Sequence, residues 1–512
     1  MTEAEATIVE AEALGVGKTQ PNLRRYFASA GVIAAAQIFS NLKGLVMLPL
    51  LTRHLGTINY GVWSQVLILA TFVPLLMIMG TDSAIVRYLP GHDDEYQRRH
   101  FSGWLLAMLG LGALLCGLLA AARAPVSNVF FGGGQEYERF VPLAAATIYV
   151  NLVLTGIRGW FRLKAASGGW AAVTAGQAVT SLIATILLLS LNRTIYQFVI
   201  YSVVLDGLLS LVLLAWIWRA YGFSRPNFGL LPKLVRFGLP LVPAGFAVWG
   251  LNWLDRIFLV KYTDLSAIGR YSLAYSLGYL GIQAVANPIW TMYPTVAAEH
   301  WNQGDPDGVQ RYFERTAGAM LLLVAPIIAF TAVAGRPILQ FFAPPSFASA
   351  APVISIVMAG YLLTLLSAYY ETAMGLVHKQ WLSTVATVIA LASNVALNFI
   401  LIPRFGIIGA AVATGAAFAI QLLFSLAVNG RLGVLQTRAV GPIRIVLASL
   451  GATAAMALAS MAFTGGAVAE LCVIGAAGAV SYLGLIIVLR LVPASGLRSE
   501  FALVYQGLRR AG

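Results

Sequence analysis

Long apolar stretches, each about the length of a membrane helix, alternate with short polar segments along this chain. A helix needs about 20 mostly apolar residues to cross the hydrocarbon core of a bilayer. The stretches that reach this length lie at 27–51, 61–81, 102–122, 140–157, 169–191, 196–218, 237–260, 268–294, 317–341, 350–372, 380–402, 407–428, 442–463 and 469–489. The pattern therefore predicts an all-α integral membrane protein with about 14 transmembrane helices.

The composition supports a polytopic membrane protein and excludes several other classes. Of 512 residues, 59% are hydrophobic and only 10% are charged, whereas soluble domains carry about 25% charged residues. The two cysteines, Cys116 and Cys472, both lie in apolar runs and predict no disulfide framework. Residues 1–25 are polar and lack the apolar core of a signal peptide, so we expect a cytoplasmic tail. We expect no cofactor and no metal site.

The basic residues of the loops indicate which side of the membrane each loop occupies. With the N-terminus inside, 23 of the 33 basic residues fall on inner segments and eight on outer segments, while Lys43 and Arg256 lie within spans. Cytoplasmic loops carry the excess of Lys and Arg, so both termini are predicted to be cytoplasmic. The net charge of +13 is accordingly interpreted as loops facing anionic lipid, not as a nucleic-acid site.

A weak internal repeat relates the two halves of the chain at an offset of 211–214 residues. The matched pairs are Lys43 and Arg256, Tyr60 and Tyr271, Pro74 and Pro288, Trp170 and Trp381, and Tyr149 and Tyr361. The repeat predicts two six-helix lobes at 26–218 and 237–430, a linker at 219–236, and two further helices within 431–512. Parallel repeats of this kind are typical of transporters that bind substrate at the repeat interface; the alternative is a duplicated bundle in a membrane enzyme or scaffold.

Two cations at matched positions of the two lobes are the main candidate chemistry. A charge in the bilayer centre costs about 2.5–3.5 kcal/mol on insertion scales. We therefore expect specific interactions to stabilise Lys43 and Arg256 within their spans. Each has polar neighbours on its helix; these are Gln37 and Asn41 near Lys43, and Trp249, Asn252 and Asp255 near Arg256. We expect these residues to line a cleft that binds an anion such as pyrophosphate. Snorkelling to the headgroups and pairing with Asp255 are the alternatives.

Five other charged residues carry weaker hypotheses. Arg53, Arg87 and Arg158 are interpreted as topological anchors that could line a vestibule. Asp206 is a candidate proton or cation site, and Glu371 is either interfacial or involved in coupling. The glycines of "FFGGGQEYERF" (130–140) are not followed by Lys and Ser or Thr, so no nucleotide-binding loop is predicted.

Several blocks of the sequence resemble the polysaccharide flippases, the O-antigen and exopolysaccharide transporters of the multidrug/oligosaccharidyl-lipid/polysaccharide superfamily. The blocks are "LPLLTRHLGTINYGVWSQ" (48–65), "GTDSAIVRYLP" (80–90), "FGLPLVPAGFAVWGLNWLDRIFL" (237–259), "IGRYSLAYSLG" (268–278) and "PRFGIIGAAVAT" (403–414). The resemblance implies a MATE-like fold of two lobes in the bacterial inner membrane, with a cationic interior cavity. It also implies transport of undecaprenyl-pyrophosphate-linked oligosaccharides, including lipopolysaccharide precursors, from the cytoplasmic to the periplasmic leaflet. Other polysaccharide-assembly proteins would be its partners.

Three other functions remain open from the sequence. A multidrug or small-cation exporter of the same fold would depend on a carboxylate, and a peptidoglycan-precursor flippase would share the cationic cavity. An integral-membrane polymerase or ligase would need a large outer loop, and no loop here exceeds about 25 residues.

Overall fold

A computed structural model describes residues 23–222, 224–436, 442–463 and 465–489, so most of the predicted N-terminal tail and the end of the C-terminal segment lie outside the described residues. The described chain is helical and contains no β-strand. Its helices are α1 (Leu23–Ile78), α2 (Thr81–Tyr88), α3 (Asp94–Ala121), α4 (Arg123–Phe131), α5 (Gln135–Glu138), α6 (Phe140–Leu163), α7 (Ser167–Ser190), α8 (Ile195–Tyr221), α9 (Leu231–Gly238), α10 (Val242–Tyr262), α11 (Leu265–Trp290), α12 (Tyr293–Asn302), α13 (Pro306–Phe342), α14 (Ala351–Leu376), α15 (Trp381–Leu432), α16 (Pro442–Ala462) and α17 (Ala467–Val488).

Eleven helices among the described residues are long and apolar enough to cross a membrane. Two of them, α1 with 56 residues and α15 with 52, are roughly 80 Å long, too long for a single crossing. Each bends at a glycine with positive φ, Gly56 at 67° and Gly406 at 55°, and each therefore contains two predicted spans. The eleven helices thus account for all but one of the predicted spans. The last predicted span corresponds to α11, which has 26 residues, many of them buried. The predicted all-α membrane fold is confirmed.

Within each half of the chain, helices that are distant in the sequence pack on one another. In the first half, α1 packs on α6 and α7, α8 packs on α6 and α7, and α3 packs on α6. In the second half, α14 packs on α11, α13 and α15, while α10 packs on α15. The helices α16 and α17 pack on each other and on α13, around a small separate core. The exact lobe boundaries stay a prediction.

The second half of α1 makes the closest contact between the two halves of the molecule. A Cβ added to Gly61 would lie 2.0 Å from the carbonyl oxygen of Leu265, and one added to Gly269 would lie 2.0 Å from that of Thr57. The hydroxyl oxygens of Ser64 and Ser272 are 2.7 Å apart. We call this contact the α1–α11 seam; it requires glycine because backbone packs directly on backbone.

Candidate functional site

A polar cavity of about 670 Å³ lies inside the first half of the molecule. Its walls are formed by α1, α6, α7 and α8, with Ser276 and Leu280 contributed by α11. Its polar lining comprises Gln37, Ser40, Lys43, Thr147, Asn151, Arg158, Thr174, Gln177, Ser181, Ser202 and Asp206, and its aromatic lining comprises Tyr60, Trp63, Trp170 and Phe198. We call this the central cavity. Charged and amide side chains in a chamber between membrane-crossing helices indicate a ligand with a polar part that cannot dissolve in lipid.

Lys43 reaches the central cavity because of its position on α1. Residues three and four apart share one face of a helix, and Gln37, Ser40, Lys43 and Met47 follow this spacing toward the cavity. The neighbouring residues Leu42 and Val46 are 55% and 56% exposed on the outer surface of the bundle. Lys43 thus points into the protein, and snorkelling is not needed to explain its charge.

Arg158 supplies a second cation to the same cavity from α6. Its guanidinium donates a hydrogen bond to the Gln177 side-chain oxygen on α7, and the Gln177 amide nitrogen donates to the Asn151 side chain at 3.2 Å. This chain of amides orients the guanidinium. Within the described ranges, neither Lys43 nor Arg158 has a carboxylate at salt-bridge distance, so both keep the capacity to bind an external anion.

Asp206 is the carboxylate of the central cavity. It lies on α8, accepts a hydrogen bond from Thr180 at 2.5 Å, and interacts electrostatically with both Lys43 and Arg158. Two cations and one carboxylate leave the charged lining with a net positive charge. An anion is therefore favoured over a cation in this cavity, because its interactions are strengthened where water is scarce.

Arg256 occupies a different environment, although the repeat pairs it with Lys43. It is only 2% exposed and forms an ion pair of 3.0 Å with Asp255. Its guanidinium also donates to the Asn252 carbonyl at 2.8 Å and to the Ser272 hydroxyl at 3.3 Å. Tyr271 donates a second hydrogen bond to Asp255. The ion pair is enclosed, and its charged groups have hydrogen-bond partners. This corresponds to the alternative in which Arg256 pairs with Asp255.

Of the other predicted site residues, Gln37 lines the central cavity, while Asn41, Trp249 and Asn252 lie outside it in this conformation. The Trp249 indole nitrogen donates to Thr71 at 3.1 Å, and the Asn252 side chain accepts from Tyr361. Asn41 is exposed and accepts from Gln37 at 3.2 Å. A substrate-binding role for Trp249, Asn252, Asp255 and Arg256 would need a different conformation and stays a prediction.

The remaining charged candidates occupy three separate places. Arg53 donates to the Phe341 carbonyl at 3.1 Å, and Arg87 lies 5.1 Å from the centre of the Phe237 ring; each is a contact between the two halves of the chain. Glu371 accepts hydrogen bonds from Ser367 at 2.8 Å and Gln421 at 2.9 Å. None of the three lines the central cavity.

The sequence analysis used Trp170 only in the repeat and named none of Asn151, Gln177 and Trp63 as a site residue. A signal for most of them exists in the spacing. Trp170, Thr174, Gln177 and Ser181 lie at intervals of three and four along α7, the spacing of one polar helix face. A search for polar faces on every span would have found this wall.

Comparison with known proteins identifies relatives that match up to 74% of this chain. The model of the family described as polysaccharide biosynthesis protein matches residues 27–300. An uncharacterised membrane protein of Methanocaldococcus jannaschii is 22% identical over 411 residues, which cover 74% of this chain and 78% of the relative. Haloferax volcanii has a protein named "Probable low-salt glycan biosynthesis flippase Agl15", 27% identical over 216 residues, which cover 41% of this chain and 45% of the relative. A second Haloferax volcanii protein, "Probable flippase AglR", is 22% identical over 403 residues, with coverage of 74% and 78%.

Two solved structures share the fold. A lipid II flippase, MurJ, in an inward closed conformation superposes with a TM-score of 0.76 at 17% identity and covers 90% of this chain and 98% of its own. An inward-facing multidrug resistance MATE transporter superposes with a TM-score of 0.60 at 15% identity, with coverage of 79% and 96%. These likenesses establish the MATE-like architecture. The family match over more than half of the residues shows that the chain belongs to the polysaccharide biosynthesis protein family, among the polysaccharide flippases of the multidrug/oligosaccharidyl-lipid/polysaccharide superfamily that its sequence blocks resemble.

Proposed function

We propose that this protein moves a polyprenyl-pyrophosphate-linked oligosaccharide, with undecaprenyl as the carrier, from the cytoplasmic to the periplasmic leaflet of a bacterial inner membrane. Both termini then lie in the cytoplasm, as the loop charges predict. The observation that carries the proposal is the central cavity, in which Lys43 and Arg158 outnumber the carboxylate Asp206 within a bundle of membrane-crossing helices.

The charges of the cavity suit a pyrophosphate. Arg158 offers a planar fork of donors that matches phosphate oxygens, and Lys43 offers a mobile point charge. Gln177 already holds the guanidinium in place, so binding needs little further ordering. The pyrophosphate would therefore be held between α1 and α6, close to the Asp206 carboxylate.

The uncharged lining suits the sugars of the same substrate. Asn151 and Gln177 offer both donors and acceptors to hydroxyl groups, and Trp63 and Trp170 offer apolar faces to the carbon skeleton of a sugar ring. The polyprenyl tail has no polar group to place in this chamber and stays in lipid. Rocking of the two halves, with the α1–α11 seam opening and closing, would then expose the head group to the other side.

The multidrug alternative is less compatible with these charges. A cationic drug would meet two cations in the central cavity, and the Asp206 carboxylate already accepts from Thr180.

Polyprenyl carriers other than undecaprenyl fit the same chemistry, and two of the relatives are named as flippases of an archaeon. The carrier is thus the part of the proposal that the experiment must identify chemically.

The test is the pool of lipid-linked saccharides in the native host after deletion of the gene. We expect polyprenyl-linked repeat units to accumulate on the cytoplasmic side and wild-type protein to clear them. Lys43→Glu and Arg158→Glu should reduce clearance at least ~10-fold, since losing a charged contact costs about 1.5–3 kcal/mol. Arg123→Glu is the matched control, because Arg123 is exposed and its pair with Glu138 lies at the surface.

Membrane levels of each variant must equal those of the wild type for the comparison to count. Full clearance by Lys43→Glu and Arg158→Glu would remove the proposed role of the central cavity. If deletion causes no lipid-linked saccharide to accumulate, the substrate assignment fails and export of a drug or ion replaces it.

A further inference from the structure

A second cavity lies on the membrane-facing side of the first half, where α3 begins and α6 and α8 end. It has a volume of about 340 Å³, and its lining is mostly apolar, with Phe101, Leu105, Ile157 and Leu214 among the residues. Trp218, which is 65% exposed, borders it on the outside. We call it the lateral groove. It is separated from the central cavity by α6, because Ile157 faces the groove while Arg158 faces the central cavity.

Two hydrogen-bond donors on side chains that line the lateral groove have no partner in the part of the chain that the structure describes. The Arg98 Nε and the Trp160 Nε1 are both buried without an acceptor among the described residues, and both side chains line the groove. Trp160 is only 3% exposed. A buried donor without an acceptor costs about 1–3 kcal/mol, so two of them in one groove indicate a ligand that brings acceptors.

The charges around the groove specify that this ligand is an anion. Three neighbouring cations have carboxylate partners, with Arg99 3.8 Å from Glu95, Arg162 3.3 Å from Asp82, and Lys164 2.6 Å from Asp94. Arg98 has no carboxylate at salt-bridge distance in the described parts of the chain; its one hydrogen bond is to the Tyr221 carbonyl at 3.0 Å. Asp94 interacts electrostatically with Arg98, but its ion pair is with Lys164 at 2.6 Å, so the positive charge of Arg98 remains available to a ligand.

We propose that the lateral groove is a binding site for an anionic phospholipid. The phosphodiester oxygens accept hydrogen bonds from Arg98 and from the Trp160 indole, and an acyl chain lies along the apolar residues of the groove. Both donors lack acceptor capacity of their own, which matches a head group whose phosphate and ester oxygens only accept. Basic pockets between transmembrane helices on the cytoplasmic side are typical sites for anionic head groups.

The depth of the groove agrees with a lipid head group. Arg98 lies four residues after Asp94, the first residue of α3, which places it about 6 Å along the helix axis. Trp160 and Trp218 lie near the last residues of α6 and α8, and tryptophan is enriched at the level of the head groups. A lipid enters sideways past Trp218 without passing through the transport pathway.

The experiment measures lipid retained by the purified full-length protein with native mass spectrometry. The protein is exchanged into detergent with added phosphatidylglycerol or phosphatidylcholine of identical acyl chains. We expect phosphatidylglycerol to be retained at least ~10-fold more strongly, and Arg98→Ala to remove most of this preference, because a hydrogen bond to a charged group is lost. Arg99→Ala is the matched control, since Arg99 is exposed, adjacent and paired with Glu95.

Trp160→Phe provides the decisive second variant because it keeps the ring and deletes only the N–H donor. We expect retention of phosphatidylglycerol to fall ~5-fold while the melting temperature stays at or above that of the wild type. Equal retention of both lipids, or unchanged retention in Arg98→Ala and Trp160→Phe, would overturn the proposal. So would complete displacement by glycerol 3-phosphate, which would indicate a free-anion site, or by polyprenyl phosphate, which would indicate an entry point for the substrate carrier.

Discussion

Lys43 and Arg256 occupy matched positions of the internal repeat, yet their side chains have different surroundings. Lys43 lines the central cavity with Arg158 and Asp206, whereas Arg256 is enclosed by its own ion pair with Asp255 and by aromatic rings. The difference has a local cause. An aspartate precedes Arg256 in the sequence, while no acidic residue lies within a helical turn of Lys43. A buried cation with a partner contributes to structure, and one without a nearby partner is available to a ligand.

Replacing Arg256 should therefore affect folding more than transport. In Arg256→Ala the Asp255 carboxylate is left buried without its cation, which costs about 3–5 kcal/mol. We expect a lower melting temperature in detergent and lower membrane levels. Lys43→Ala should keep the melting temperature and the membrane level of the wild type and lose transport.

The double variant Asp255→Asn/Arg256→Gln separates charge from structure. Removing both charges leaves no unpaired ion, so much of the lost stability should return. If Arg256→Ala melts like the wild type but fails to transport, Arg256 contacts substrate in another conformation and the structural interpretation is wrong.

At the scale of elements, the α1–α11 seam depends on two glycines. The backbones of α1 and α11 approach so closely that a methyl group on Gly61 would lie 2.0 Å from the Leu265 carbonyl oxygen. Such contacts allow tight packing of membrane helices, where small residues replace a hydrophobic driving force. The seam therefore closes only with glycine at this position.

Gly61→Ala should shift the protein away from the closed seam. Overpacking costs about 1–3 kcal/mol, which corresponds to a change of ~5- to 150-fold in the equilibrium between closed and open seam. We expect transport to fall and maleimide labelling of a cysteine at the buried Ser64 to rise. The measurement uses a background in which Cys116 and Cys472 are replaced by serine.

Gly117→Ala is the matched control for the seam. Gly117 lies inside α3, and a Cβ there would meet no heavy atom within 4 Å. Labelling and transport should stay at wild-type values in this variant. Unchanged labelling in Gly61→Ala would show that the seam tolerates a side chain.

At the scale of the whole molecule, the second half of α1 contacts the second half of the chain at both of its ends. At one end it meets α11 through the Ser64 and Ser272 hydroxyls, 2.7 Å apart. Near the other end Thr71 accepts from the Trp249 indole at 3.1 Å, and Gly80 packs against Gly238. Alternating access requires the two halves to separate at one end at a time.

A disulfide across the seam should stop transport reversibly. In the cysteine-free background, Ser64→Cys/Ser272→Cys places two sulfur atoms where the hydroxyl oxygens are 2.7 Å apart. We expect oxidation to reduce transport at least ~10-fold, since separating the halves would require breaking the covalent bond, and dithiothreitol to restore it. Each single cysteine variant is the control, and transport at the wild-type rate after complete cross-linking would exclude opening at this end.

Much of the architecture was predictable because the bilayer imposes local rules. The predicted spans at 27–51 and 61–81 both lie in α1, and those at 380–402 and 407–428 both lie in α15. Each span is recognised by its own length and apolarity, without knowledge of its neighbours. The bends at Gly56 and Gly406 were predictable only as breaks between spans, not as continuous kinked helices.

The sequence by itself determined the membrane class, the helical fold and the presence of polar groups inside the membrane that need partners or a ligand. Only the tertiary structure decided which polar groups meet. Lys43, Arg158 and Asp206 come from α1, α6 and α8, and Arg98 and Trp160 come from α3 and α6. The physical reason is that apolarity and length are properties of each segment, whereas the rotation of a helix about its axis is set by packing against its neighbours.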